Sequence, residues 1–270
     1  MQHDSNVASY HYQSYEDDSV HLTPESPSFY DHVSRYWWAA SFARGKNVLD
    51  CACGKGYGTY ILSKEAKSAL GVDLNKNSLT IARETFTRPN LEYLEQDILR
   101  LKESGKTFDL ITAFEVIEHI PPETTDSFLR SIAGILAPNG IALISTPNHD
   151  VVMKSGVIVP DFHINNFKAS ELKTVLSRHF NAVKMNGQFK KRAGLGGVIF
   201  DFDFFNLRHV AGKLLRSTRA TTESDNAQNK SGKIDVSLFE SRSAEVENYE
   251  FSPRHWRQAG LTVAICSKPR

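Results

Sequence analysis

The run Val48-Leu49-Asp50-Cys51-Ala52-Cys53-Gly54-Lys55-Gly56-Tyr57-Gly58 constrains the chain more than any other stretch. A short apolar segment enters a glycine-rich turn and leaves it with helical spacing. Strand, glycine loop and helix in that order open a parallel α/β sheet whose ligand lies beyond the carboxyl end of the strand. Glycine at 54 and 56 lets the backbone come close to a ligand. A dinucleotide cradle needs a further glycine where this chain has Thr59, so a nicotinamide dehydrogenase is disfavoured.

Two acids follow the loop at equivalent places. Asp73 closes Gly71-Val72-Asp73, and Asp97 stands in Gln96-Asp97-Ile98. An acid after the second strand is placed to accept the hydroxyls of an adenosine ribose. Asp97 is placed to accept an adenine amino group, with Leu74 or Ile98 packed on the ring. Asp50, Ala52, Gly54, Gly56 and Tyr57 are the loop positions expected to hold the same ligand.

Elsewhere the pattern alternates. Strands are expected at 47–51, 68–72, 91–94, 109–114, 141–145, 180–187 and 261–266. Helices are expected at 29–42, 59–67, 79–86, 124–136 and 169–179. Ala137-Pro138-Asn139-Gly140 reads as a turn. This is one α/β domain over 28–270, preceded by an arm at 1–27 and carrying an insertion at about 188–251. Part of the insertion is basic and aromatic, from Lys190 through Phe200, Phe202, Phe204 and Phe205 to Arg219. We expect it to make a membrane-surface contact or to pack as a lid or dimer face. The formal net charge of +1 argues against a nucleic-acid partner. Three cysteines in no framework spacing indicate a reducing compartment, so a cytoplasmic protein is expected, peripheral at the inner membrane face where the insertion touches lipid.

Phe114-Glu115-Val116-Ile117-Glu118-His119-Ile120 follows the fourth strand. Positions 115, 118 and 119 share one face of a helical turn. Asp161-Phe162-His163 adds an imidazole after the fifth strand, at the same mouth. Carboxylates with imidazoles can take a proton from a hydroxyl or hold a hard divalent cation, Mg²⁺ or Mn²⁺, that acidifies it. Both readings stand, with His119, Glu118 and His163 as the catalytic candidates, beside a structural one in which Glu115 touches the cofactor, His119 satisfies a core hydrogen bond and His163 orders a loop.

In His32-Val33-Ser34-Arg35-Tyr36, in 48–58, in Gly71-Val72-Asp73, in 108–120, in 136–148 and in 162–176, the chain resembles class I S-adenosylmethionine-dependent methyltransferases of the ubiquinone-biosynthesis type. It most resembles the branch that accompanies glycosyltransferases in bacterial surface-polysaccharide gene sets. The resemblance implies a Rossmann-like seven-stranded sheet, helices on both faces, with the last strand antiparallel. It implies S-adenosyl-L-methionine as cofactor, Arg35 on its methionine carboxylate, and Phe114 and Glu115 beside it. Similarity to metal-dependent 2′-O-methyltransferases of small RNA implies Glu115, Glu118, His119 and His163 as metal ligands. The acceptor it implies is a sugar hydroxyl of a surface glycan or of its lipid-linked precursor. The rivals are a quinone or lipid phenol, and a non-catalytic scaffold. One departure stands in the loop: Ala52 replaces the family's first glycine, which is acceptable if φ there is negative.

Overall fold

The computed structural model describes residues 24, 26, 28–156, 159–191 and 234–270. Nearly all of the arm, and the basic aromatic stretch beyond Lys191, lie outside the described residues.

The chain forms a mixed sheet of eight strands in the order β3-β2-β1-β4-β5-β8-β6-β7. The strands are β1 Asn47–Cys51, β2 Ser68–Asp73, β3 Leu91–Glu95, β4 Phe108–Phe114, β5 Leu136–Pro147, β6 Phe180–Lys190, β7 Tyr249–Ser252 and β8 Leu261–Pro269. β1 to β5 pair in parallel. β8 lies antiparallel between β5 and β6, so β6 runs with the parallel set. The expected seven strands are present, and one is added: β7, from the end of the insertion, pairs antiparallel with the outer edge of β6. Sequence periodicity missed it because Tyr249-Glu250-Phe251-Ser252 is short and its edge position leaves every residue at least partly exposed.

Alternation along the inner strands sorts the core onto two faces. Leu49, Ile111 and Ala113 pack with Phe128, Ile132, Leu172 and Leu176 on one side. Val48, Leu110 and Leu143 pack with Val33, Tyr36, Ile61 and Leu62 on the other. The first side is covered by helices α4 (Thr125–Ile135) and α6 (Ala169–Leu176); the second by α1 (Phe29–Ala40) and α2 (Tyr57–Ser63). The turn expected at 137–140 is a bulge within β5: Phe108 pairs with Leu136, but Leu110 already pairs with Ile141.

Helix α3 (Lys76–Thr85) follows β2, with Asn75 accepting from Ser78 N at its start. Helix α5 (His149–Ser155) was not anticipated; it buries none of its residues, so it carries no apolar stripe. After the undescribed segment, α7 (Ala244–Glu247) returns the chain to α1, and Phe239 is fully buried against Phe29, Tyr57 and Phe86.

Parallel strands bring their carboxyl ends to one edge. β1 lies between β2 and β4, the point where the strand order reverses. A crevice at such a point is where open α/β sheets bind ligands.

Candidate active site

The loop after β1 is folded around Asp50. Its carboxylate has no exposed surface. It accepts from Thr59 Oγ1 at 2.7 Å, Thr112 Oγ1 at 2.6 Å and Tyr36 Oη at 3.2 Å. Burial raises its pKa to about 6, against the pull of those three hydroxyls. Asp50 thus ties α1, α2 and β4 together beneath the loop and does not line the crevice. Thr59, read from the sequence only as a missing glycine, is what anchors the helix.

The loop backbone turns through left-handed conformations at Ala52 (φ 54), Gly54 (φ 53) and Gly56 (φ 85). Gly56 could carry no side chain, because a Cβ would lie 2.6 Å from Ala82 Cβ and 2.8 Å from Tyr93. The condition under which alanine is acceptable there, a negative φ, is not met: the turn demands the glycine geometry, and Ala52 adopts it under strain. Ala52→Gly should raise stability by about 1 kcal/mol, or about 2–4 °C in Tm for a domain of this size. This reverses the usual entropic penalty of glycine; a lowered Tm would show that the position is unstrained.

Above the loop the surface fits an adenosine group. A Cβ on Gly54 would meet nothing within 4 Å, so the space over its backbone is open. Asp73 Oδ2 accepts from Gly54 N and Oδ1 from Asn75 N, both at 2.8 Å, which fixes the carboxylate at the loop. Next to it Leu74 is 46% exposed, an apolar face with nothing of its own to cover. Asp97 accepts from Leu99 N, and Ile98 and Ala52 pack on the same core cluster. Tyr57 and Phe114 are buried against Tyr36.

Opposite the loop stand α1 and the end of β4. Arg35 is only 1% exposed, with Nη1 at 2.5 Å from Glu115 Oε1 and Nε donating to Gln188 Oε1 at 3.0 Å. His32 Nε2 is 3.7 Å from Glu115 Oε2. Burial lowers the His32 pKa against the pull of Glu115, and His32 and Arg35 together hold Glu115 ionised. Burial alone would have raised the Glu115 pKa; its partners lower it to about 2. His32 and Gln188 were not foreseen. His32 stands in the matched sequence stretch, but Gln188 comes from β6 and carries no local signal.

The shared face expected for 115, 118 and 119 does not form. Glu115 has a left-handed φ of 54, and the following turn at Ile117–His119 is a 3-10 turn. The chain therefore swings Glu115 toward α1 and Glu118 inward. The described residues with metal-ligand geometry are Glu118, His119 and His163, whose donor atoms all lie within 4.8 Å of one another. Glu115 is outside that set.

Glu118 is 1% exposed, and neither of its carboxylate oxygens has a hydrogen bond of good geometry, although the Thr146 hydroxyl and its own backbone lie close enough to favour its charged form. Burial, aided by the negative charge of Glu115, raises its pKa to about 8. His119 Nδ1 lies 3.3 Å from Phe162 O. A carbonyl only accepts, so Nδ1 carries the proton and Nε2 is the basic nitrogen of the neutral ring. Phe162 stacks on the His119 ring at 5.5 Å, and His163 meets it edge-on at 4.9 Å. Asn165 fastens this loop: its N donates to Glu118 O, and its Nδ2 to Ile120 O and Thr125 Oγ1.

Sheet order, glycine loop and acid after β2 together define a Rossmann-like domain of the methyltransferase kind. Residues 48–140 match the family model described as a methyltransferase domain. A probable S-adenosylmethionine-dependent methyltransferase of Mycobacterium tuberculosis is 28% identical over 71% of this chain and 70% of its own length. A ubiquinone biosynthesis O-methyltransferase of Aliivibrio fischeri is 35% identical, over 40% of this chain and 46% of its own length. A SAM-dependent methyltransferase structure from Archaeoglobus fulgidus shares the fold, with a TM-score of 0.54 and 16% identity over 89% of this chain and 92% of that one. Residues 48–140 are thus a methyltransferase domain, and the chain is similar to class I S-adenosylmethionine-dependent methyltransferases. No helix among the described residues is long and apolar enough to cross a membrane.

Proposed function

We propose that the chain methylates a hydroxyl group, and that Glu118, His119 and His163 activate that hydroxyl. The observation that carries this reading is Glu118: a carboxyl group buried with no well-aligned hydrogen bond, beside two imidazoles, at the carboxyl end of β4. A buried carboxyl group left so is costly unless something is meant to meet it.

S-adenosylmethionine supplies an electrophilic methyl group on its sulfonium when bound. Gly54 and Gly56 would admit it to the loop, Asp73 would take the ribose hydroxyls, Leu74 and Ile98 would pack on the adenine, and Asp97 would accept from its amino group. Arg35 and Glu115, already a matched pair, would face the two charges of the methionine end.

The donor set at Glu118, His119 and His163 joins one carboxylate to two imidazoles, so it would hold Mn²⁺ or another borderline divalent ion more readily than Mg²⁺, which prefers oxygen ligands. Such an ion would lower the pKa of an acceptor hydroxyl. In its absence His119 Nε2 can accept the hydroxyl proton directly, while Phe162 O holds the ring in the required tautomer. Either way Glu118 keeps its proton at neutral pH until a cation displaces it.

For the acceptor, a sugar hydroxyl of a surface glycan or its lipid-linked precursor is the first reading, on the resemblance in sequence. A quinone-like phenol is the second, favoured by the ubiquinone biosynthesis O-methyltransferase as a partial relative. The test is incubation with labelled cofactor and fractionated extract, with and without chelator. We expect label on an oxygen, and turnover that falls in metal-free buffer and returns with Mg²⁺ or Mn²⁺. Label on nitrogen would overturn the hydroxyl reading. Undiminished turnover without metal would leave His119 as the base and remove the cation.

A further inference from the structure

The 253–260 loop crosses from β7 to β8 over the end of β6, and only the missing side chain of Gly187 lets it approach: a Cβ there would lie 2.6 Å from Ala259 Cβ. Because β8 is antiparallel, its first residue, Leu261, sits opposite Pro147 at the carboxyl end of β5. The loop therefore stands on the rim of the reaction crevice.

Hydrogen bonds run from the Glu118 turn to this loop. Asn165 N donates to Glu118 O, His149 N to Phe167 O, and Asn148 N to Gly260 O. Asn148 Nδ2 donates to both Arg257 O and Ala259 O, and its Oδ1 accepts from Ala169 N. One buried asparagine thus holds the loop, the end of β5 and the start of α6 in register.

Pro253, His255, Trp256, Arg257 and Gln258 line a cavity of about 270 Å³. Trp256 packs on the core, and the Arg257 guanidinium lies over its ring at 4.5 Å. The contact holds the guanidinium, a flat group with five N–H donors, against the ring. Among the described residues no acid pairs with Arg254 or Arg257, whereas Arg35, Arg44 and Arg130 each meet a carboxylate. His255 holds a left-handed φ of 55, a strained conformation for a residue with a side chain. The Arg257 guanidinium, the His255 imidazole in the same lining and a second cation, Arg254, three positions before Arg257 in the chain suit a multiply charged oxyanion. The cavity sits at the small end of ligand-pocket sizes, enough for a phosphoryl group but not for a whole acceptor.

We propose that this cavity is a subsite for a phosphate group carried by the methyl acceptor. The assignment to the acceptor rests on the hydroxyl-activating reading of Glu118, His119 and His163; the binding of phosphate itself does not.

Titration with inorganic pyrophosphate, in chelator and at fixed ionic strength, tests it on the full chain by calorimetry. We expect saturable binding that weakens about tenfold in Arg257→Gln, as loss of one charge-assisted contact implies, and is only partly restored in Arg257→Lys, which keeps the charge without the fork. Arg254→Gln should weaken it less. Binding of the demethylated cofactor should be unchanged in all three, which shows that they fold. Absence of saturable binding in the parent chain, or equal binding in Arg257→Gln, would overturn the proposal. Acetate arms the control: if it competes as well as pyrophosphate, the site takes any carboxylate and the phosphate assignment fails. Failure of hydroxyl activation at Glu118 leaves this titration unaltered, because it reads binding and not turnover.

Discussion

Replacing His119 by alanine is expected to lower kcat by about 10²–10⁴-fold while cofactor affinity changes little, the range found when a proton-transfer group is removed. The ring is positioned for this role from two sides: Phe162 O fixes its tautomer and the Phe162 ring fixes its plane. His163→Ala should follow the same pattern, since its donor atom belongs to the same cluster. Neither residue touches the glycine loop in any contact described above, so equilibrium binding of cofactor serves as the internal control. A kcat within tenfold of the parent in both variants would remove the cluster from the chemistry. A loss confined to cofactor affinity would place it with the binding machinery instead.

The second large effect concerns stability. Glu115→Ala leaves the Arg35 guanidinium buried with Gln188 as its remaining polar partner. Removing one side of a buried ion pair typically costs 3–5 kcal/mol, because a desolvated charge is left uncompensated. Glu115 keeps some solvent contact at 22% exposure, so the low end applies, about 3 kcal/mol. For a chain of this size Tm should fall by about 6–12 °C. The double variant Arg35→Met, Glu115→Ala should recover part of that loss, since no buried charge remains. A double variant as unstable as the sum of the singles would show that the two residues act independently. An unchanged Tm in Glu115→Ala would mean that water already reaches the guanidinium.

How much was legible before the structure differs from element to element. Helix α1 could be read because Phe29, Val33, Tyr36, Trp37 and Ala40 recur at helical spacing and are buried as that spacing requires. β1, β2 and β4 could be read as buried runs ending in turn residues. α5 could not, because a helix exposed on all sides leaves no apolar period. β7 could not, because its pairing with β6 joins residues separated by the whole insertion. The membrane-surface expectation for 190–219 falls, beyond Lys191, outside the described residues.

Within the site the division is sharper. Glycine content, the acids after β2 and β3, and the Glu-x-x-Glu-His run are properties of residue type and spacing, and with the family resemblance they carry they were enough to reach a methyltransferase. The role of each carboxylate was not. Asp50, Asp73, Glu115 and Glu118 are all acids near strand ends, yet one lies beneath the loop among hydroxyls, one holds the loop amides, one neutralises Arg35, and one is buried with no well-aligned hydrogen bond. Local sequence sets where the backbone turns and which groups are available. It does not set which face of a strand end a side chain leaves from, or what comes to meet it from a distant element. At Ala52 and Glu115 a left-handed φ, imposed by packing and invisible in residue type, redirected the chain. So the sequence by itself determined the sheet, the cofactor loop and the class of reaction. Only the tertiary structure decided which acid is paired, which is buried without an aligned hydrogen bond and which arginine is left open, because burial and charge pairing arise between elements far apart in the chain.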